Sequence, residues 1–139
     1  MSVHPNKVRD LRFGYTSEEN LLPLFRDVYG DEIVKSTDRF SFFDYSDDHT
    51  LIELKTRRIR HDQYPTALCN LNKIKKLVAD KRNAYLVFSY LDGVYQVPIK
   101  ENWKYWKTRT NTRRDRGREE SATVCLIPHT EMQPLRARC

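Results

Sequence analysis

No stretch of the sequence offers the roughly 20 consecutive apolar residues that a membrane-spanning helix requires, and Met1 to Arg12 is too polar to serve as a secretory signal. The chain is therefore expected to be soluble and intracellular, in cytoplasm or nucleus. Glycine is scarce, with 4 in 139 residues, which excludes collagenous or linker-like sequence. Cysteine is scarce too. The three present, Cys69, Cys125 and Cys139, are odd in number and widely spaced, so neither a disulfide framework nor a Cys-x-x-Cys metal knuckle is indicated. They are expected as free thiols, the first two in apolar surroundings and Cys139 at a loose end. His4, His49, His61 and His129 lack the spacing of zinc ligands. No internal repeat is visible, and 139 residues suit one domain with one modest core.

What the chain has in excess is charge, unevenly placed. Residues 1–53 hold 6 Lys or Arg against 11 Asp or Glu, whereas residues 54–139 hold 19 against 8. The basic residues gather at Lys55 to Arg60, Lys73 to Arg82 and Lys104 to Arg118. Any one such cluster is commonly a solvated face, but three in one half of a chain point to a polyanionic partner, with nucleic acid the first choice.

Hydrophobic periodicity predicts the elements. Leu21, Leu22, Phe25 and Val28 recur at helical spacing after Thr16 or Ser17, with Glu18 and Glu19 in the first turn, which predicts a helix over 17–29 ended by Gly30. Pro23 should bend that helix or delay its start. Short strands are expected at 32–36 and 39–45, a polar turn at 46–49, and a strictly alternating strand at 50–57. In that strand Leu51, Glu53, Lys55 and Arg57 face one way while Thr50, Ile52, Leu54 and Thr56 face the other. Pro65 and Thr66 open a second expected helix, whose apolar stripe runs from Ala67 to Ala79. A hairpin turning at Asp92-Gly93 should join strands 84–91 and 94–99. Residues 103–120 read as a long charged loop, and 122–127 as a final strand returning to the same sheet.

Chemistry concentrates on the alternating strand. Glu53 and Lys55, two residues apart, set a carboxylate and an ammonium on one face about 7 Å apart. Asp44, closing the preceding strand, can add a second carboxylate. With the Leu54 carbonyl these make a hard oxygen site suited to Mg²⁺ or Mn²⁺. Asp47 and Asp48 are rival ligands if that strand ends later. A cation there would lower the pKa of bound water and act as a Lewis acid, and Lys55 could orient or deprotonate the water. A Glu-x-Lys pair alone is commonly surface decoration, but this acidic-x-Lys lies on a strand with an apolar opposite face, after one Asp-ended strand and before a basic helix.

Phe43-Asp44-Tyr45 followed by Leu51-Ile52-Glu53-Leu54-Lys55-Thr56-Arg57 resembles the signature of the PD-(D/E)XK nuclease superfamily, which includes restriction endonucleases and Holliday-junction resolvases. Phe43 stands where the family's name has proline. The family's core order of helix, three strands, helix and strand matches the reading of residues 17–91, and the resemblance covers roughly 17–100. It implies an α/β fold with a restriction-endonuclease-like core, a central mixed β-sheet flanked by helices, here with an additional C-terminal hairpin or strand. It also implies Asp44 and Glu53 as metal ligands and Lys55 as the residue assisting attack. A first-helix carboxylate often joins them, with Glu18 the choice here and Glu19 the alternative. Lys73 resembles the basic residue that the second helix turns toward the site, with Tyr64 a further candidate.

Arg57, Arg58 and Arg60 follow the site strand and could hold phosphates by charge-assisted bonds. Arg113 and Arg114 fall in a segment expected to be a flexible phosphate-contacting arm. Trp103, Tyr105 and Trp106 alternate with lysines, as core residues or as a stacking platform for bases. The expectation is a Mg²⁺- or Mn²⁺-dependent endonuclease acting on duplex, branched or single-stranded DNA, in repair, recombination or restriction. The alternative is a non-catalytic nucleic-acid-binding module of the same fold. A homodimer is expected from the family's habit, and a compact nuclease domain without a targeting domain suits a virus or phage.

Overall fold

The computed structural model describes residues 21–115 and 118–136. They form a mixed α/β structure with two α-helices and two sheets. The larger sheet has six strands in the order β1-β2-β3-β5-β6-β9, comprising β1 Val34–Lys35, β2 Tyr45–Ser46, β3 Thr50–Thr56, β5 Asn83–Tyr90, β6 Gly93–Ile99 and β9 Gln133–Pro134. Strands β3 and β5 pair in parallel and the other neighbours antiparallel, so the sheet is mixed. Three strands, β4 Thr66–Asn70, β8 Arg118–Pro128 and β7 Lys107–Asp115, make the second sheet in that order.

Helix α1, Leu22–Tyr29, starts later than Ser17, as Pro23 dictates. Proline is tolerated in the first turn, where its missing N–H has no intrahelical partner to lose. Gly30 closes the helix at φ 138, a left-handed value that suits glycine, and its N–H donates to the Arg26 carbonyl. The apolar face of α1 buries Phe25 against Tyr45, Ile52, Leu54 and Val87 on one side of the large sheet. The other side carries Leu51, Leu86 and Phe88 under Ile74 and Leu77 of helix α2, Leu71–Ala79, and under Cys125 and Ile127 of β8. Both faces of β3 and β5 are therefore covered, which is why β5 reads as a continuous apolar run.

Four expectations are corrected. Residues 66–70 are strand β4, not the first turn of the second helix: they pair antiparallel with β8, Cys69 opposite Cys125. The helix begins only after Asn70, whose side chain accepts the Asn72 N–H at 2.8 Å and caps it. Asn70→Ala should lower stability by about 1 kcal/mol, read as a shift of the denaturant midpoint; an unchanged midpoint would remove the cap from the account.

The described residues between 103 and 120 form a 3-10 turn, Asn102–Tyr105, and then β7 and the start of β8, in place of a loop. The reason is the alternation Thr108, Thr110, Thr112, with β-branched residues at period two. Strand β8 does run through 122–127, but it pairs with β4 and β7 in the second sheet rather than returning to the first. Residues 39–43 are irregular, with a turn at Arg39 and Phe40 and a bend at Phe42, and only Tyr45–Ser46 joins the ladder. No helix among the described residues is long and apolar enough to cross a membrane.

Candidate functional site

Strand β3 places Glu53 at the middle of the large sheet. It is the one buried charged residue among the described residues, at 7 % exposure, opposite Leu86 in the β3–β5 register. Asp44 lies one residue before β2. Its N–H donates to the Ile52 carbonyl at 2.8 Å and its Oδ2 accepts the Leu54 N–H at 2.7 Å. These two bonds grip the residues on either side of Glu53 and seat the Asp44 carboxylate beside it. Leu54, the expected carbonyl ligand, is thus tied to Asp44 through its own amide.

Two lysines complete the group. Lys73, in the first turn of α2, brings its Nζ to 3.4 Å from Glu53 Oε2. Lys55, two residues along β3 on the Glu53 face, is close enough for its charge to act on Glu53 and on Cys69. The Glu53 carboxyl is pushed up to about 7, first by burial and next by the negative charge of Asp44, against the opposing pull of Lys73 and Lys55. A buried acid beside a second carboxylate holds its proton because the two lysines only partly offset burial and the Asp44 charge, and a divalent cation would supply further positive charge. Two carboxylates are hard oxygen donors, so the set fits Mg²⁺ or Mn²⁺ better than a thiophilic metal.

The rival acids sit elsewhere. Asp47 spends its Oδ1 on the His49 N–H at 2.8 Å, holding the turn before the opposite end of β3, and Asp48 is exposed in that turn. Glu18 and Glu19 lie outside the described residues. A separate group, His61, Asp62 and Asp92, has its ligand-type atoms within 4.8 Å of one another. Arg60 already reaches it, 3.6 Å from Asp62 and 3.9 Å from Asp92, and His61 Nδ1 lies 2.5 Å from Asp92 Oδ2. That network clasps the segment after β3 to the β5–β6 turn, and it sets the exposed Arg60 beside two carboxylates. Arg57 and Arg58 are exposed past the end of β3, and Tyr64 is 56 % exposed. Arg113 and Arg114 belong to β7, in register with Glu120 and Glu119, not to an irregular arm.

Of the three aromatics after residue 102, Trp106 is buried and donates its indole N–H to Glu131, and Trp103 packs on the core. Tyr105 alone is open, at 87 % exposure, so no three-ring stacking platform forms. Cys69 and Cys125 are both buried and free, and burial raises both thiols, Cys69 to about 11. In a Cys139→Ser chain, an aromatic disulfide reagent should find no fast-reacting thiol in the native state and two after denaturation. A fast native reaction would show that the β4–β8 pair opens.

The contacts of Lys73 with Glu53 and of His61 with Asp92 cross 20 and 31 positions of sequence, so no local pattern announced the second. No protein-family model matches the chain, and neither a curated protein nor a solved structure shows significant similarity to it.

Proposed function

We propose that this protein is a metal-dependent DNA endonuclease of the PD-(D/E)XK type. The observation that carries the reading is the seating of the Asp44 carboxylate beside buried Glu53, with Lys55 and Lys73 at the same face of β3. The order α1, β1 to β3, α2, β5, with β3 and β5 parallel, supports it, since it follows the restriction-endonuclease-like core apart from the inserted strand β4.

Asp44 and Glu53 would hold the cation, with the Leu54 carbonyl as a third donor. Bound there, Mg²⁺ or Mn²⁺ would lower the pKa of a coordinated water and offset charge on the phosphate. Lys55 sits where it can take or orient a proton of the attacking water and balance the developing phosphate charge. Lys73 pairs with Glu53 when no cation is present and becomes available to phosphate once the carboxylate turns to a metal. Exposed Arg57 and Arg58, and the exposed Lys107 and Arg109 of β7, supply backbone contacts that fix position without reading sequence.

A second reading, a DNA-binding module without catalysis, is favoured by one feature: the Lys73 ammonium at 3.4 Å already neutralises Glu53. Incubating the protein with labelled single-stranded, duplex, flapped and four-way DNA in Mg²⁺ or Mn²⁺ separates the two. Products that vanish with a chelator support the nuclease. Salt-sensitive binding without products from any substrate supports the module. Duplex cleavage at both strands calls for two sites, so we expect a homodimer, and a monomeric mass by light scattering on the DNA-bound protein would dismiss it.

A further inference from the structure

Immediately beyond the Lys55 end of β3 lies a cavity of about 200 Å³, lined among others by Arg57, His61, Tyr64, Leu68, Phe88 and Tyr90. We propose that it receives an unpaired DNA base next to the phosphate held at Glu53 and Lys55, which rests on the nuclease reading above. Three features support the choice of occupant.

The first is position. Phe88 is the Cα partner of Lys55 across β3 and β5, and Arg57 follows Lys55 by two residues on the same face, about 7 Å on. A strand whose phosphate sits at the carboxylates therefore presents its next base to this cavity, with Arg57 at the adjoining phosphate. The second is the lining. Tyr64 at 56 % and Leu68 at 39 % are two of the few large apolar side chains left exposed, and both converge here with Phe88 and Tyr90 behind them. Flat aromatic and aliphatic walls suit the π-face of a base, and stacking of this kind tolerates any base.

The third is a fixed polar edge. His61 is held by Asp92 through its backbone N–H at 2.9 Å and its Nδ1 at 2.5 Å, and its ring stacks on Tyr95 with centroids 4.3 Å apart. Its Nε2 keeps no hydrogen-bond partner among the described residues, so an immobilised ring offers one unspent polar atom to a base edge. A base inside a duplex cannot reach such a cavity without leaving its stack, and the cost of leaving is least where it is already unpaired. The site thus selects single-stranded, flapped or mismatched DNA over perfect duplex.

The test uses oligonucleotides carrying one 2-aminopurine, unpaired or paired in otherwise identical strands, with the full chain in chelator so that nothing is cut. We expect a protein-dependent fluorescence change for the unpaired base and none for the paired one. Tyr64→Ala should weaken the unpaired complex about 10-fold, and Leu68→Trp, which fills the cavity from β4, should abolish the fluorescence change. Equal signals from paired and unpaired probes, or a signal untouched by both substitutions, overturns the proposal. Adding Mg²⁺ then separates the two readings. Cleavage that ignores base pairing sinks the base site and leaves the nuclease, whereas base capture without products in any metal sinks the nuclease and leaves the base site.

Discussion

Lys55→Ala should abolish DNA cleavage, by about 10²- to 10⁴-fold in rate, while changing DNA affinity by no more than a few-fold. The asymmetry follows from where the charge sits. Lys55 is half-buried on β3, two residues from Glu53, and its field reaches both Glu53 and Cys69. At that distance it would act, in the proposed nuclease, on a water or a phosphate oxygen at the carboxylates. Affinity, by contrast, is spread over many cations, 25 Lys and Arg in the whole chain, so deleting one removes only a small part of the counterion release that drives binding. Single-turnover cleavage and a binding isotherm on the same labelled flap would measure both. Cleavage retained within threefold of wild type would remove Lys55 from the chemistry, and the PD-(D/E)XK type of mechanism with it.

Glu53→Gln should abolish cleavage and at the same time stabilise the metal-free protein above neutral pH. In the unfolded chain this carboxyl ionises near its ordinary value of 4.5, but in the folded protein only near 7. The fold therefore binds the proton more tightly than the unfolded chain does. That contribution is fully present below about pH 4.5, declines between the two values, and is lost once pH has risen through 7. Glutamine keeps the shape of the protonated acid and carries no charge to repel Asp44, although it loses the ion pair with Lys73. With the pull of both lysines already counted in the net upward shift, and solvent screening allowed for, the variant should gain about 1 to 2 kcal/mol at pH 8, a rise of several degrees in melting temperature. Melting curves at pH 5 and pH 8 test this: wild type should lose stability between them and the variant should lose less. Mn²⁺ should raise the wild-type melting point at pH 8 and leave the variant nearly unmoved. A variant less stable than wild type at pH 8 would show that the Lys73 pair outweighs the carboxylate repulsion.

The loss of function and gain of stability expected from one substitution fit a strained site. A buried carboxylate next to another one is retained against its own electrostatic cost, and binding a cation is a reason to retain it.

How much of this was legible in the sequence differs by element. The alternation of Thr50 to Thr56 identified β3, and Glu53 and Lys55 fell on one face by period alone. Asp92-Gly93 and the runs around it located the β5–β6 hairpin, because a two-residue connection leaves the chain no other pairing. Ala67 to Asn70 misled for a physical reason: a run of three apolar residues is too short to separate helical from strand period, and only the partner strand β8, more than 50 positions on, decides between them. At 107–115 the net charge conceals an alternation of threonines that is itself a strand signal.

By itself, then, the sequence determined what depends on neighbours along the chain: the amphipathic faces of α1, β3 and the latter part of α2, the hairpin turn, the Glu53–Lys55 pair and the basic second half. Only the tertiary structure decided what depends on neighbours in space. It seated Asp44 on the Leu54 amide, brought Lys73 to Glu53, set Arg60 beside Asp62 and Asp92, set Cys69 opposite Cys125, and opened a cavity between Arg57 and Leu68. The reason is that local periodicity fixes the direction of a side chain relative to its own element. The distance to a group on another element is set by how sheets and helices pack, which the whole core decides together.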